Sequence, residues 1–259
     1  MKNSYKILIA LLIVIAVGAL VFIVFYSGNN KEYAGPDNNI VQQPNQENNQ
    51  EAGFVFENPK KSAHYESNTP EHAAVLAGVP INIVIDFNFD LHSKSTISIM
   101  HNGAEYGVGN TKIDDNKLAM RRSLDLNSPD GIYTVNYNAC WPDESCHDGN
   151  FQFAINRPES KSFIDMRNMS EITIKMMNFV FDPKNVIINK GTTVTWVNND
   201  SAGHFINTDS HPAHTYYPPQ NSKELNKDDT FSLKFDIPGI YPYHCSAHPG
   251  TMTGYILVE

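Results

Sequence analysis

Apolar and polar side chains alternate residue by residue over much of the chain beyond residue 63. In "INIVIDF", Ile81, Ile83, Ile85 and Phe87 share one face while Asn82, Val84 and Asp86 share the other. Tyr133, Val135 and Tyr137 alternate with Thr134 and Asn136 in "DGIYTVNYNAC", and Phe151, Phe153 and Ile155 repeat the pattern in "FQFAI". A period of two is the pleat of a strand with one face buried, and the Asn, Asp, Gly and Pro clusters between these runs supply turns. After the polar stretch "RPESKSFIDMRNM" comes a second block of the same kind: "EITIKMMNFVFDP", "NVIINKGTTVTWVNND", "DTFSLKF", "PGIYPYHC" and "GYILVE". The expected fold class is all-β, with two β-sandwich domains of about 90 residues each, enough to enclose a core.

The N-terminus breaks this pattern. Ile7 to Tyr26 is uncharged throughout, and about 20 apolar residues suffice to cross a bilayer as a helix. Lys2 and Lys6 precede the run, which keeps the N-terminus cytoplasmic and exports the rest. No small-x-small cleavage motif and no cysteine follow it, so it reads as a retained anchor and not as a cleaved signal or lipoprotein leader. Residues 27–62 are rich in Asn, Gln, Pro and Glu and too poor in apolar surface to offset the entropy of ordering, as a flexible linker would be. The expected order is 1–26 transmembrane anchor, 27–62 flexible linker, 63–158 first sandwich and 168–259 second sandwich. The expected localisation is a single-pass position in the cell membrane with both domains on the extracytoplasmic side. A formal net charge of −9, with no basic block beyond the N-terminus, argues against a nucleic-acid partner.

Three cysteines occur, Cys140, Cys146 and Cys245. Cys140 and Cys146 flank "WPDES" and suit a disulfide outside the cell; a reduced pair beside His147, holding Cu(I), is the alternative. Cys245 is then left single in "YPYHCSAHPGTM", with His248 and Met252 in the same loop. A soft thiolate, an imidazole and a thioether form a ligand set that suits copper with one long, weak sulfur bond. The further imidazole such a site needs is His204 in "NNDSAGHFINTD". A long loop, "FINTDSHPAHTYYPPQNSKE", adds His211 and His214, which either chelate a second metal or belong to a solvated docking loop. The chain has no His-x-His pair, a single cysteine in the ligand loop and no Ser–His–Asp motif. That inventory argues against a multicopper oxidase, a dinuclear purple copper centre and a hydrolase.

On "FDPKNVIINKGTTVTWVNND", His204, "PGIYPYHC" and "HPGTMTGYILV", the second block resembles a cupredoxin domain of the plastocyanin-like blue copper family. The resemblance implies a type 1 copper with His204, Cys245 and His248 as equatorial ligands and Met252 as the axial one. It also implies one-electron transfer through the exposed edge of His248 to redox protein partners at the membrane. The first block, on "AHYESNTPEHAAVLAGVPINIVIDF", "STISIMHNG" and "DGIYTVNYNACWPDESCHDGNFQFAI", is similar to the CopC family of copper-resistance sandwiches. That resemblance puts His64 and His147 in the places of Cu(II) ligands, although Ser145 stands where the family's Asp is usual and His64 is internal. A second copper in this domain is therefore an open expectation. The functional expectation is a membrane-anchored blue copper electron carrier and not an enzyme. The alternative is a copper-binding protein for copper delivery or resistance.

Overall fold

The computed structural model describes residues 53–259; the expected anchor and most of the expected linker lie outside the described residues. The first sandwich is built from β1 (Tyr65–Thr69), β2 (Val75–Leu76), β3 (Ile83–Phe87), β4 (Thr96–His101), β5 (Ala104–Glu105), β6 (Gly107–Ile113), β7 (Ala119–Leu124), β8 (Gly131–Cys140) and β9 (Cys146–Ile155). Its two sheets have the strand orders β1-β3-β7-β6 and β2-β9-β8-β4-β5. The second sandwich comprises β10 (Ile164–Asp165), β11 (Glu171–Met177), β12 (Val180–Asp182), β13 (Asn185–Ile188), β14 (Thr193–Asn198), β15 (Asn207–Thr208), β16 (Thr230–Lys234), β17 (Gly239–His244) and β18 (Thr253–Val258). These form sheets of order β10-β13-β18-β17-β15 and β12-β11-β14-β16. Helical structure among the described residues is confined to short 3₁₀ turns at Arg157–Ser162 and Pro218–Gln220, and no described helix is long and apolar enough to cross a membrane.

Alternation places the cores as expected. Tyr133, Val135, Tyr137, Phe151, Phe153 and Ile155 are buried in the first, and Ile172, Ile174, Met176, Val194 and Trp196 in the second. The departure is β3. Its alternation predicts one solvent face, yet all five residues are buried. Ile83, Ile85 and Phe87 enter the first core, whereas Val84 joins the core cluster of the second sandwich together with Ile81 and Ala119. In the other direction Ile187, Ile240 and Leu257 of the second sandwich belong to the first cluster. Fully burying each such side chain is worth about 1.5–3 kcal/mol, so the face β3 would otherwise show to water is covered by the second sandwich.

Hydrogen bonds seal the junction. Ile240 N–H donates to Val79 O at 2.9 Å, and Tyr216 Oη accepts from Ile81 N–H at 2.8 Å while donating to Ile240 O at 2.7 Å. Gly239 has φ +139°, and a Cβ there would lie 2.9 Å from Val79 O and 2.6 Å from Ile81 Cγ2. Only glycine allows β17 to begin so close to the first sandwich. The last residues expected in the linker also dock: Lys60 pairs with Asn150 of β9, and Ser62 N–H donates to Tyr137 Oη at 3.1 Å.

Candidate metal centre

β17 and β18 pair antiparallel with His244 opposite Thr253, so the connection Cys245–Met252 must turn back within one short loop. It does so through His248 N–H to Cys245 O at 2.8 Å, Met252 N–H to His248 O at 3.0 Å and Cys245 N–H to Met252 O at 2.9 Å. This winding folds Cys245 and Met252 to full burial and leaves His248 half-buried. His204 arrives from the segment after β14. Its backbone exchanges hydrogen bonds with Leu225 at 3.0 and 2.8 Å, and the Asn198 carboxamide bonds Ala202 O and Leu225 O, each at 2.8 Å. The outcome is a free, buried thiol with His204 Nδ1 at 3.6 Å and His248 Nδ1 at 3.7 Å from its sulfur. The structure brings His204, Cys245 and His248 together and buries Met252 at the end of the same loop.

Residues that sequence reasoning did not single out hold this arrangement. Asp200 Oδ2 lies 2.9 Å from His204 Nε2; a proton held there leaves Nδ1 unprotonated toward the sulfur. The same carboxylate accepts Asn178 N–H at 2.8 Å and Phe179 N–H at 3.0 Å. Burial would raise its pKa, but these two backbone donors and the His204 ring outweigh burial and hold the carboxyl below its ordinary value. Asn178 and Phe179 form the two-residue turn between β11 and β12, with φ +56° and +62°. That is the type I′ geometry in which Asn-Gly is the favoured pair. Phenylalanine stands in the glycine place, and its ring lies edge-on to His248 at 5.0 Å and to His204 at 5.5 Å. The Phe205 N–H faces the Cys245 sulfur at 3.4 Å.

A second histidine cluster lies on the other side of β17. His211, His214 and His244 each offer a ligand atom within 4.8 Å of the others. His211 and His214 stand out within one loop of the sequence, whereas the proximity of His244 depends on β15 pairing with β17. Burial first, then the neighbouring His244 and His211, push the His214 pKa down to about 4. In the first sandwich, Cys140 and Cys146 form a disulfide between directly paired residues of β8 and β9, which excludes the reduced Cu(I) pair. His64 bonds the Asn88 side chain at 3.0 Å and stacks on Phe89. Among the described residues, neither His64 nor His147 enters a cluster of three or more potential ligands.

Residues 168–259 match the family model of copper binding proteins, plastocyanin/azurin family, and residues 65–156 match that of the CopC domain. Amicyanin-alpha of Methylorubrum extorquens is 33% identical over 86 residues, covering 33% of this chain and 70% of that protein. Plastocyanin of Scenedesmus fuscus is 38% identical over 88 residues, covering 31% of this chain and 87% of that protein. The chain belongs to the plastocyanin/azurin family of copper-binding proteins. It carries a CopC domain ahead of the family domain, and it is a copper-binding protein. A solved structure of a mutant amicyanin in its Cu(I) form is 25% identical with a TM-score of 0.30, covering 35% of this chain and 84% of that one. The donor set fits the family's metal on its own geometry. Bonds of about 2.3 Å to sulfur and 2.0–2.1 Å to imidazole, at tetrahedral to trigonal angles, separate S and N by about 3.6–3.8 Å. The distances of 3.6 and 3.7 Å fall within that range.

Proposed function

We propose that this chain is an extracytoplasmic type 1 copper protein, held at the membrane by Ile7–Tyr26, that passes single electrons between redox protein partners. The observation that carries the reading is the buried, unpaired Cys245 thiol with two imidazole Nδ1 atoms at 3.6 and 3.7 Å. His204, Cys245 and His248 would hold the copper, with Met252 as the weak fourth donor. Copper so bound supplies a one-electron couple in a ligand set that accommodates both oxidation states. The protein keeps the donors in place by the hydrogen bonds of Asp200, Asn198 and the Cys245–Met252 loop. Four protein donors leave no position for substrate, which supports a carrier and not an enzyme. His248 is the half-buried ligand, and Phe179, its ring 5.0 Å away and 48% exposed, puts one apolar side chain beside the edge through which a partner would approach.

The CopC match favours a second reading, copper delivery or resistance. The two separate on retention, because a carrier keeps its copper through redox cycles and a donor surrenders it. Copper-loaded protein is expected to be intensely coloured and to keep its copper through repeated reduction and oxidation beside a competing chelator. Cys245→Ser is expected to abolish the colour, and Met252→Leu to keep it while raising the potential. A colourless wild-type protein would overturn the blue-copper reading, and loss of copper on each reduction would favour delivery.

A further inference from the structure

Successive residues of a strand point to opposite faces. Cys245 belongs to the core of the second sandwich, whereas His244 turns toward the cleft between the sandwiches. His244 is only 2% exposed, and its Nδ1 lies 2.8 Å from Asp209 Oδ1. A proton held between them leaves the Nε2 lone pair free. His214 Nε2 is 3.2 Å from that Nε2, and the His211 ring centroid is 5.4 Å from both other rings.

We propose that His211, His214 and His244 form a second metal site, separate from the Cys245 centre, for a divalent first-row ion, Cu(II) or Zn(II). Two imidazole nitrogens on one tetrahedral ion, each bonded at 2.0–2.1 Å, lie about 3.3 Å apart, close to the 3.2 Å between His214 and His244. A hydrogen bond between those two rings, or from His214 to Ser246 Oγ at 3.1 Å, accounts for one contact. It accounts neither for the third ring nor for the carboxylate behind His244, which is the outer partner that metal-bound histidines ordinarily have. Three imidazoles without a thiolate suit Cu(II) and Zn(II) alike.

The loop bearing His211 and His214 is ordered in advance by the first sandwich. Buried Asp86 of β3 accepts Ser210 Oγ–H at 2.9 Å and Thr215 Oγ1–H at 2.7 Å, and Arg121 of β7 donates to Thr215 O at 3.1 Å. Asn221 Nδ2 donates to His214 O at 2.9 Å. Donors fixed before the ion arrives lose little freedom on binding it. His211 and His244 also line a cleft of about 340 Å³ between the sandwiches, so the ion has a path of entry and an open side.

The test compares the full chain with His211→Ala/His214→Ala, both saturated with Cu(II), desalted and counted for copper by elemental analysis. The double variant is expected to hold one equivalent less while keeping the visible absorption that depends on Cys245. In a Cys245→Ser background, the wild-type histidines are expected to add a nitrogen-coupled EPR signal to whatever copper His204 and His248 retain, and the His211→Ala/His214→Ala variant to lack that added signal. Asp209→Asn is expected to weaken binding of this ion about 10- to 100-fold with the count at saturation unchanged. The count difference decides the matter even if the Cys245 centre proves colourless. Equal metal content in wild type and double variant, with Cu(II) and again with Zn(II), overturns the proposal, provided circular dichroism shows the same unfolding midpoint for both.

Discussion

Replacing Asp200 by alanine removes an acceptor shared by Asn178 N–H, Phe179 N–H and His204 Nε2 at 2.8, 3.0 and 2.9 Å. A hydrogen bond to a charged acceptor contributes about 1.5–3 kcal/mol net. The two backbone bonds hold Phe179 at φ +62°, a conformation that costs an L-residue about 1–2 kcal/mol. Two such bonds supply about 3–6 kcal/mol, and letting the turn relax returns about 1–2 kcal/mol of that, so the metal-free chain should lose about 1–5 kcal/mol. Copper binding should suffer separately: freeing the far nitrogen of a metal-bound histidine costs about 10- to 100-fold in affinity, or about 1.4–2.8 kcal/mol. Urea unfolding of metal-free protein reads the first quantity, and competition with a chelator of known affinity reads the second. Because the Asp200 carboxyl is held below its ordinary value, its contribution is present above about pH 3.9 and is lost as pH falls through the folded value. The acid limb of the stability curve should therefore flatten in the variant. An Asp200→Ala protein that unfolds like wild type and binds copper within twofold would refute the account of Asp200 as the link between the turn and His204.

Asp86 carries the opposite sign. Burial raises its pKa against the lowering by Thr215, Ser67, Ser210 and Arg121, so the native state binds the proton more tightly and wild-type stability should fall as pH rises from about 3.9 through the folded value. Asp86→Asn should remove that slope, and a wild-type-minus-variant difference independent of pH in urea unfolding would refute it. Phe179→Gly should leave metal-free stability within about 1 kcal/mol of wild type, since relief of about 1–2 kcal/mol of backbone strain is offset by loss of a half-buried ring. Chelators should nevertheless extract copper faster from it, and an unchanged extraction rate would count against Phe179 as cover for the ligands. Gly239→Ala should destabilise by about 2 kcal/mol or more, because its Cβ would meet Val79 O at 2.9 Å; thermal unfolding indistinguishable from wild type would show that the sandwiches are not locked there.

Much of the architecture was legible because alternation is a local property. Ile172, Ile174 and Trp196 announce their burial within their own strands, and Cys245, His248 and Met252 lie in one loop that any fold must keep together. His204 was legible through residue type and resemblance. What lay hidden depends on pairing between distant segments. Asp200 reads as one more polar residue in a turn, and nothing local says that Asn178 and Phe179 approach it from a separate hairpin. Phe179 breaks the usual chemistry of its turn, and Asn-Phe where Asn-Gly is favoured was a readable sign that the ring has work to do. Glu57 to Ser62 continues a polar composition that reads as linker. Its docking uses backbone hydrogen bonds, as at Lys60 and Asn150, which composition does not report.

The hardest feature to read was the double use of single strands. A period of two implies one face for the core and one for water, but that inference assumes the second face has no protein partner. In β3, Val84 and Asp86 occupy the face nominally given to solvent; Val84 packs into the neighbouring sandwich and Asp86 gathers Ser210 and Thr215 from its long loop. In β17 the same alternation sends Tyr241 and Tyr243 inward with Cys245, and Ile240 and His244 outward. The residue beside the copper-type thiol is thereby delivered to the junction that Asp86 organises. The first sandwich thus completes the surroundings of His244 without contributing any of the three histidines. Its presence ahead of a family domain has a physical use that does not depend on His64 and His147 binding copper.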